Sequence, residues 1–199
     1  MSVLSVSEIR ELRRRTGAGV VQCKTTLDRV GGDIERAVAE LRAMGAVAAD
    51  ERGERPTSEG LIHSYVHHNG TLGVLIEVNC ETDFVARTDE FRVLVRYLAE
   101  QVAGAAPLAV TRASLPTEIV ERRRRGFEDE VRASGKPAHL AVRIVDGKMA
   151  SYFRSVVLMD QSWVREPDIS IAELLRQASA MTGENIQVRR FARFHMGIA

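Results

Sequence analysis

The side chains that could perform covalent or acid–base chemistry are few and scattered. The cysteines Cys23 and Cys80 lie far apart and have no metal-type spacing. His67 and His68 are adjacent, so in a β-strand they would point to opposite faces and could not bind one metal ion together. An enzyme that uses Cys80, Asp83 and one of these histidines is the least supported hypothesis, because no spacing typical of a nucleophile and its base is present. P-loop, nucleophile-elbow and zincin motifs are absent from the sequence. We therefore expect no enzymatic activity, no catalytic residues, no metal and no cofactor.

The segment EVNCETDFVAR, residues 77–87, breaks the surrounding pattern. An apolar strand ends there, polar residues follow, and Phe84 and Val85 precede the next helix. Phe84 could pack into the core, which composition alone favours. An aromatic residue beside Asp83, at a tip between strand and helix, would also suit insertion into a partner's pocket. The residues themselves leave both readings open.

Composition excludes several classes of protein. The chain has 199 residues with 28 Lys and Arg against 27 Asp and Glu, a formal net charge of +1. Nucleic-acid-binding proteins usually carry a basic excess, so we expect no direct contact with nucleic acid. The basic run at residues 122–125 has acidic residues three and four positions away, which favours a solvated, mutually paired helix face. No apolar stretch is long enough to span a membrane, and the sparse cysteines suit a reducing compartment. We expect a cytoplasmic protein.

Residues 1–45 are predicted to form three short helices. The first begins with a capping box between Ser5 and Glu8, with Leu4 and Ile9 as a hydrophobic staple. Further helical spacings and glycine breaks follow, so we predict a three-helix module that is marginally stable alone.

The remainder of the chain is predicted to form a second domain. Gly45 is expected to end the third helix, and the polar residues 46–58 to form a linker. Residues 59–199 then form the core domain. Its order of hairpins, grouped helices and a final strand predicts an α+β fold, with an antiparallel sheet and helices packed on one side.

Two hairpins are predicted within this core. Asn69-Gly70 marks the first as a two-residue turn, because both residues tolerate positive φ. The following apolar strand, Leu72 to Val78, is dense enough to be covered on both faces for part of its length. Asp146-Gly147 marks the second hairpin, within residues 140–158.

The sequence resembles the elongation factor Ts family, and the segment at residues 77–87 matches that family's signature. Further similar motifs are Thr16-Gly17-Ala18-Gly19, Cys23-Lys24, Gly31-Gly32-Asp33-Ile34-Glu35 and Gly183-Glu184-Asn185-Ile186. The resemblance covers nearly the whole chain. It implies a guanine-nucleotide exchange factor that binds the GTPase elongation factor Tu and promotes GDP release during translation elongation. It also implies that the N-terminal module is related to ubiquitin-associated domains.

The resemblance implies roles for individual residues. Phe84 would wedge into the G domain of elongation factor Tu, and Asp83 would disturb the Mg²⁺ and phosphate environment there. Thr82 and Val85 would support this wedge. The N-terminal module would contact the same G domain through Leu12, Arg13, Val20 and Val21.

Two departures from the family pattern affect these expectations. The family usually has Met-Met where this chain has Val20-Val21, so a divergent adaptor that binds without exchanging nucleotide remains the alternative. The chain is also short and has one half of the core found in long members. Short relatives form homodimers, and we therefore predict a homodimer, for which a sheet-to-sheet interface is one arrangement and the dimerising face is left open.

Overall fold

The structure is a computed structural model and describes residues 5–135 and 137–197. The helices are α1 Val6–Thr16, α2 Val20–Arg29, α3 Ile34–Arg52, α4 Asp83–Ala86, α5 Asp89–Ala105, α6 Thr117–Ala133, α7 Ala138–Val156 and α8 Ile171–Thr182. The strands are β1 Glu59–Val66, β2 Leu72–Cys80, β3 Ser162–Trp163, β4 Glu166–Ser170 and β5 Gln187–His195. This mixture of helices and antiparallel strands confirms the predicted α+β class.

The chain forms two compact units. The first contains the described part of Met1–Ile62 together with Glu77–Val95 and Glu173–Val188. The second contains His63–Ile76, Arg96–Ala172 and the described part of Arg189–Ala199. Helices α1 to α4, most of α8 and the end of β2 lie in the first unit, whereas the α6–α7 pair and the small β3–β4 sheet lie in the second.

Helices α1, α2 and α3 pack on one another in the first unit. The capping box between Ser5 and Glu8 is present, which confirms that prediction, whereas Leu4 lies outside the described residues. The core of the bundle consists of Leu12, Cys23, Leu27, Ala37, Val38 and Leu41. These side chains recur at helical spacing, so apolar burial accounts for the bundle. Its relationship to ubiquitin-associated domains stays a prediction.

Helix α3 continues beyond Gly45 to Arg52, so the predicted helix end at Gly45 is wrong. A Cβ atom on Gly45 would lie 3.0 Å from Cβ of Ala180 in α8. This glycine therefore permits close packing between two helices and does not end one. The residues predicted as the linker, 46–58, are helical as far as Arg52. The division into 1–45, 46–58 and 59–199 otherwise stays a prediction.

The larger sheet has the strand order β1-β2-β5. Its first hairpin lies where Asn69-Gly70 predicted it, although only Gly70 has a positive φ, of 71°. The loop is longer than the predicted two residues, since β1 ends at Val66 and β2 begins at Leu72. Along β2, buried residues alternate with more exposed ones. The alternation leaves Leu75 exposed on the accessible face of β2, whereas residues 76–80 are buried or half-buried, so cover on both faces holds for only part of the strand.

Residues 138–156 form helix α7 and not the predicted hairpin around Asp146-Gly147. Val145 and Met149 are buried against α6, and their spacing of four residues belongs to a helix. Gly147 is exposed, and no other residue would contact a Cβ placed on it. The turn signal thus lies on the solvent side of a helix, where neighbouring apolar contacts override it.

A second hairpin does exist, but it lies further along the chain in β3 and β4. These strands pair antiparallel, with Ser162 opposite Ser170 and Trp163 opposite Glu166. Buried Gln101 supports the hairpin from α5: its amide donates to the carbonyl of Ser162 at 3.1 Å. Side-chain hydrogen bonding of this kind leaves little signal in the hydrophobic pattern, so the pattern did not locate these strands.

Candidate partner-binding site

The segment that breaks the sequence pattern folds into one short helical turn at the end of β2. Thr82 has extended backbone and caps α4, because its hydroxyl accepts a hydrogen bond from the amide of Val85. Val85 and Ala86 are buried and anchor the turn. Asp83 and Phe84 point away from that anchor and are exposed. We call residues 82–85 the tip.

Phe84 is 77% exposed, so the interpretation that it packs into the core is wrong. Burying a phenylalanine side chain stabilises a folded protein by roughly 1.5–3 kcal/mol, a contribution that this chain forgoes at the tip. The neighbouring residues explain why it stays outside: Val85 takes the inward position in the turn. An exposed aromatic ring held on a buried anchor is suited to enter a pocket of another molecule.

Asp83 forms an ion pair with Arg87 one turn later, with 2.8 Å between the carboxylate oxygen and the guanidinium nitrogen. Both side chains are more than half exposed. Exposed pairs of this kind contribute little to stability, about 0.5 kcal/mol or less within a helix. The Asp83 carboxylate is therefore held loosely and can exchange Arg87 for another cation.

The carboxylates of Glu184 and Glu81 hold the start of the tip through hydrogen bonds. Glu184 accepts hydrogen bonds from the amides of Glu81 and Thr82, at 3.1 Å each, and from the Thr82 hydroxyl at 2.6 Å. Glu81 in turn accepts from the amide of Asn185 at 2.6 Å. Sequence reasoning assigned Glu184 no role at the tip. Its signals in the sequence were its place in the motif Gly183-Glu184-Asn185-Ile186 and its position directly after Gly183, which ends α8 with a φ of 76°.

The N-terminal site residues divide into exposed and buried ones. Val21 is 79% exposed and Val20 is 52% exposed, at the start of α2. Arg13 is exposed on α1. Leu12 is fully buried in the core of the bundle, so its predicted contact with a partner is corrected: it packs the helices and presents no surface.

Cys80 is a poor nucleophile in this structure. It is fully buried, and its thiol donates a hydrogen bond to the carbonyl of Thr82. Burial, assisted by the nearby carboxylate of Glu184, raises the pKa of the Cys80 thiol to about 11. The reactive thiolate is therefore scarce near neutral pH. This argues against the hypothesis of a small cysteine enzyme.

The adjacent histidines form a ring pair of their own. The rings of His67 and His68 lie 4.2 Å apart in the β1–β2 turn and outside both strands, whereas opposite faces were predicted only for residues in a strand. The turn is not extended, and strand alternation does not apply to it. Nδ1 of His67 lies 2.9 Å from the hydroxyl of Tyr65. Among residues 5–135 and 137–197, no three His, Cys, Asp or Glu side chains come together as a metal site.

In the arginine run on α6, Arg125 pairs within its own helix, as the spacing predicted, whereas Arg124 pairs with a residue of α7. Arg124 forms an ion pair with Asp146 at 3.0 Å, and Arg125 one with Glu121 at 3.7 Å. The guanidinium of Arg123 lies 4.9 Å from the ring centre of Tyr152. These contacts engage Arg123, Arg124 and Arg125, and they favour a structural role for these side chains. Within the described ranges, every helix is too short or too polar to traverse a lipid bilayer.

Comparisons with known proteins give a consistent result. The profile of the family described as "Elongation factor TS" matches residues 51–198. "Elongation factor Ts" of Coprothermobacter proteolyticus is 44% identical over 194 residues, which cover 98% of this chain and 98% of that protein. The protein of the same name from Thermotoga petrophila is 44% identical over 194 residues, or 98% and 96% of the two chains. The one from Fervidobacterium nodosum is 43% identical over 194 residues, or 98% of each.

Proposed function

The chain belongs to the elongation factor Ts family, and on that premise we propose that it is a guanine-nucleotide exchange factor for elongation factor Tu. It binds the GDP form of this GTPase and promotes GDP release during translation elongation. It catalyses no reaction of its own, binds protein and not nucleic acid, and acts in the cytoplasm. Family membership also agrees with the resemblance carried by the segment at residues 77–87.

The observation that carries this proposal is the 77% exposure of Phe84 on an anchored turn. An aromatic side chain loses two rotatable angles on binding, so it provides a large contact area at low entropic cost. Phe84 enters a pocket of the G domain, while Thr82 and Val85 hold the turn that presents it. The contact displaces groups on the GTPase that surround the nucleotide.

Asp83 acts on charge. Its carboxylate is paired only with exposed Arg87 in the free protein, so little free energy opposes a new partner. Beside the nucleotide site it disturbs the Mg²⁺ ion and phosphates of the GTPase. Once Mg²⁺ is displaced, the charge of the diphosphate is less compensated and GDP dissociates faster.

The thermodynamic basis of exchange is linkage between two ligands of one GTPase. A factor that binds the nucleotide-free GTPase more tightly than the GDP form weakens GDP binding by the same ratio. A coupling free energy of about 3 kcal/mol corresponds to roughly 150-fold. Incoming nucleotide reverses this coupling and releases the factor unchanged.

The N-terminal helices hold the partner in place. Val20 and Val21 are exposed apolar side chains at the start of α2, and Arg13 is an exposed positive charge on α1. These residues contact a helix of the same G domain. Leu12 contributes indirectly, because it fixes α1 within the bundle.

We also propose that the protein is a homodimer, formed through the accessible face of the larger sheet. In the second unit, Val66, Leu75 and Phe194 are exposed on β1, β2 and β5, respectively. The amide of His67 donates to the carbonyl of Leu72 and that of Met196 to the carbonyl of Thr71, so the strand ends near these side chains lie next to one another. An uncovered apolar sheet face of this kind marks an interaction surface, and a second copy offers a matching one.

A second candidate function is that of an adaptor that binds the GTPase without exchanging its nucleotide. The observation that favours it is the pair Val20-Val21, which is exposed where family members usually have methionine. Valine is shorter and stiffer than methionine and covers less of a partner surface. Weaker binding by the N-terminal module would lower the affinity for the GTPase and reduce the fraction of complexes in which the tip occupies its pocket.

The experiment that separates these functions measures release of a fluorescent GDP analogue from the matching elongation factor Tu. We expect the protein to accelerate release and Phe84→Ala to lose most of that acceleration without a change in melting temperature. Val142→Ala, which truncates another well-exposed apolar side chain on α7, serves as the matched control. Binding without acceleration by the unaltered protein would leave the adaptor.

A further inference from the structure

We infer that Glu184 is a positioning residue, whose carboxylate fixes the tip so that Asp83 and Phe84 are presented in one geometry. This inference deepens the proposed function and rests on it. Glu184 itself touches neither nucleotide nor GTPase in this scheme. It acts through Thr82, the residue that caps α4.

The geometry around Glu184 is that of a three-point clamp. One carboxylate oxygen accepts from the amides of Glu81 and Thr82, at 3.1 Å each. The other accepts from the Thr82 hydroxyl at 2.6 Å. Hydrogen bonds to a charged acceptor are about twice as strong as neutral ones. Together they fix both the backbone and the side chain of the residue at which the tip begins.

The tip needs such external support because α4 is only four residues long. A helix of one turn gains too few internal hydrogen bonds to offset the entropy of ordering its backbone. The Thr82 hydroxyl donates to Glu184 and accepts from the amide of Val85 at 3.4 Å. Because the Thr82 hydroxyl donates its hydrogen bond to Glu184, the oxygen lone pairs point toward α4. They are then oriented to accept from the amide of Val85.

Glu184 is itself held from the following residue. The amide of Asn185 donates to Glu81 at 2.6 Å, which closes a reciprocal arrangement of two carboxylates. The side-chain amide of Asn185 donates to the carbonyls of Gly53 and Arg55, at 3.1 and 2.8 Å. Asn185 is buried, so these bonds are shielded from water. The clamp is therefore attached to the segment that follows α3.

The test compares the unaltered protein with Glu184→Ala in three measurements: hydrogen exchange of the Glu81, Thr82 and Val85 amides, alkylation of the two cysteines, and GDP-analogue release. Cys80 lies beside the clamp and Cys23 in the helical bundle, and both are buried. Cys23 is thus an internal control for general loosening. We expect the three amides to lose protection and Cys80 to alkylate about tenfold faster, with Cys23 unchanged.

Exchange should respond in the same variant. We expect the factor concentration that gives half-maximal GDP release to rise about tenfold, because only a fraction of the molecules then present a competent tip. Glu184→Gln retains one carbonyl oxygen for the hydroxyl or the amides and should fall between the two. Glu100→Ala is the matched control, since Glu100 pairs with Arg165 and is part of neither the clamp nor the tip.

Removal of the Glu184 charge also favours the Cys80 thiolate, which would speed alkylation without any loosening of the turn. A second variant distinguishes this electrostatic effect from increased mobility of the turn. Thr82→Val removes the hydroxyl without a change in charge, and it too should increase Cys80 alkylation. Unchanged amide protection in Glu184→Ala would overturn the inference. So would unchanged GDP release by Glu184→Ala in an assay in which Phe84→Ala loses its acceleration of release. If Phe84→Ala exchanged normally, the proposed function would fail instead, and the amide data would still decide whether the clamp exists.

Discussion

At the scale of single residues, the tip combines side chains with opposite tasks. Val85 is buried and supports the turn, whereas Phe84 next to it is exposed. Phe84 contributes little burial to the stability of the free protein, and in the proposed complex the pocket of the partner would bury it. Thr82 and Glu184 order the turn through hydrogen bonds, so the turn does not depend on packing of the aromatic ring.

Cys80 permits a prediction about pH. Its buried thiol has a pKa of about 11, against an ordinary value of 9.0. We expect alkylation of Cys80 in the folded protein to accelerate about tenfold per pH unit up to roughly pH 11, as thiolate forms. Peptide mass spectrometry after iodoacetamide treatment measures this, with guanidinium-unfolded protein as the control. A rate that levels off below pH 10 would contradict the assignment.

The same shift affects stability. The unfolded thiol ionises near pH 9.0, whereas the folded thiol stays neutral until about pH 11. Deprotonation therefore favours the unfolded chain first. The stability associated with Cys80 is fully present below pH 9.0 and declines as pH rises through the interval to about 11.

At the scale of elements, glycines have different roles according to their surroundings. Gly147 lies on the exposed side of α7, with no neighbour near a possible Cβ. Gly17 ends α1 with a φ of 70° and would place a Cβ 2.6 Å from Cγ of Met181. The first glycine has no structural task in the folded state, and the second is required by backbone conformation and by space.

We predict that Gly147→Ala increases the free energy of unfolding by about 1 kcal/mol, because alanine favours the helix and restricts the unfolded chain. Gly17→Ala should decrease it by about 1 kcal/mol or more, since alanine is strained at positive φ. Urea denaturation followed by circular dichroism measures both. A loss of stability in Gly147→Ala would mean that α7 is not helical at this position.

Helical segments with clear apolar spacing were predictable from the sequence, and segments governed by other interactions were not. The capping box located the start of α1, and the helical spacings in residues 1–45 predicted the three-helix module. Asp146-Gly147 misled, because a turn signal on an exposed helix face costs only about 1 kcal/mol and tertiary packing overrides it. The β3–β4 hairpin depends on the buried amide of Gln101, for which no pattern of hydrophobicity exists.

The candidate site was predictable in part for the same reason. The segment at residues 77–87 drew attention through its change from apolar to polar residues. The sequence could not decide whether Phe84 is buried, because that depends on which neighbour takes the inward position of the turn. The contact between Glu184 and the tip was not predictable, because Glu184 lies far along the chain from Thr82 and only the fold brings the two together.

At the scale of the whole molecule, the accessible sheet face carries three exposed apolar side chains on neighbouring strands. Val66, Leu75 and Phe194 are exposed in the second unit. Contiguous apolar surface of this kind is unusual in a monomer unless it is used for binding. A homodimer would cover it and would raise the apparent stability with protein concentration.

We predict that Phe194→Glu converts the dimer to a monomer, because burying two carboxylates across a symmetric interface is unfavourable. Analytical ultracentrifugation over the micromolar range measures this. Phe84→Glu is the matched control, since it places the same charge on an exposed phenylalanine outside the sheet. Monomeric behaviour of the unaltered protein throughout that range would contradict the proposed dimer.

The continuation of α3 to Arg52 has a consequence for protein engineering. A chimaera that exchanges N-terminal modules between relatives and is spliced at Gly45 would place its junction within a continuous helix, next to Ala180. Any mismatch of helical phase there would rotate the grafted module about the helix axis. A splice at Pro56 avoids this, since it follows both the helix and the carbonyls of Gly53 and Arg55 that Asn185 holds.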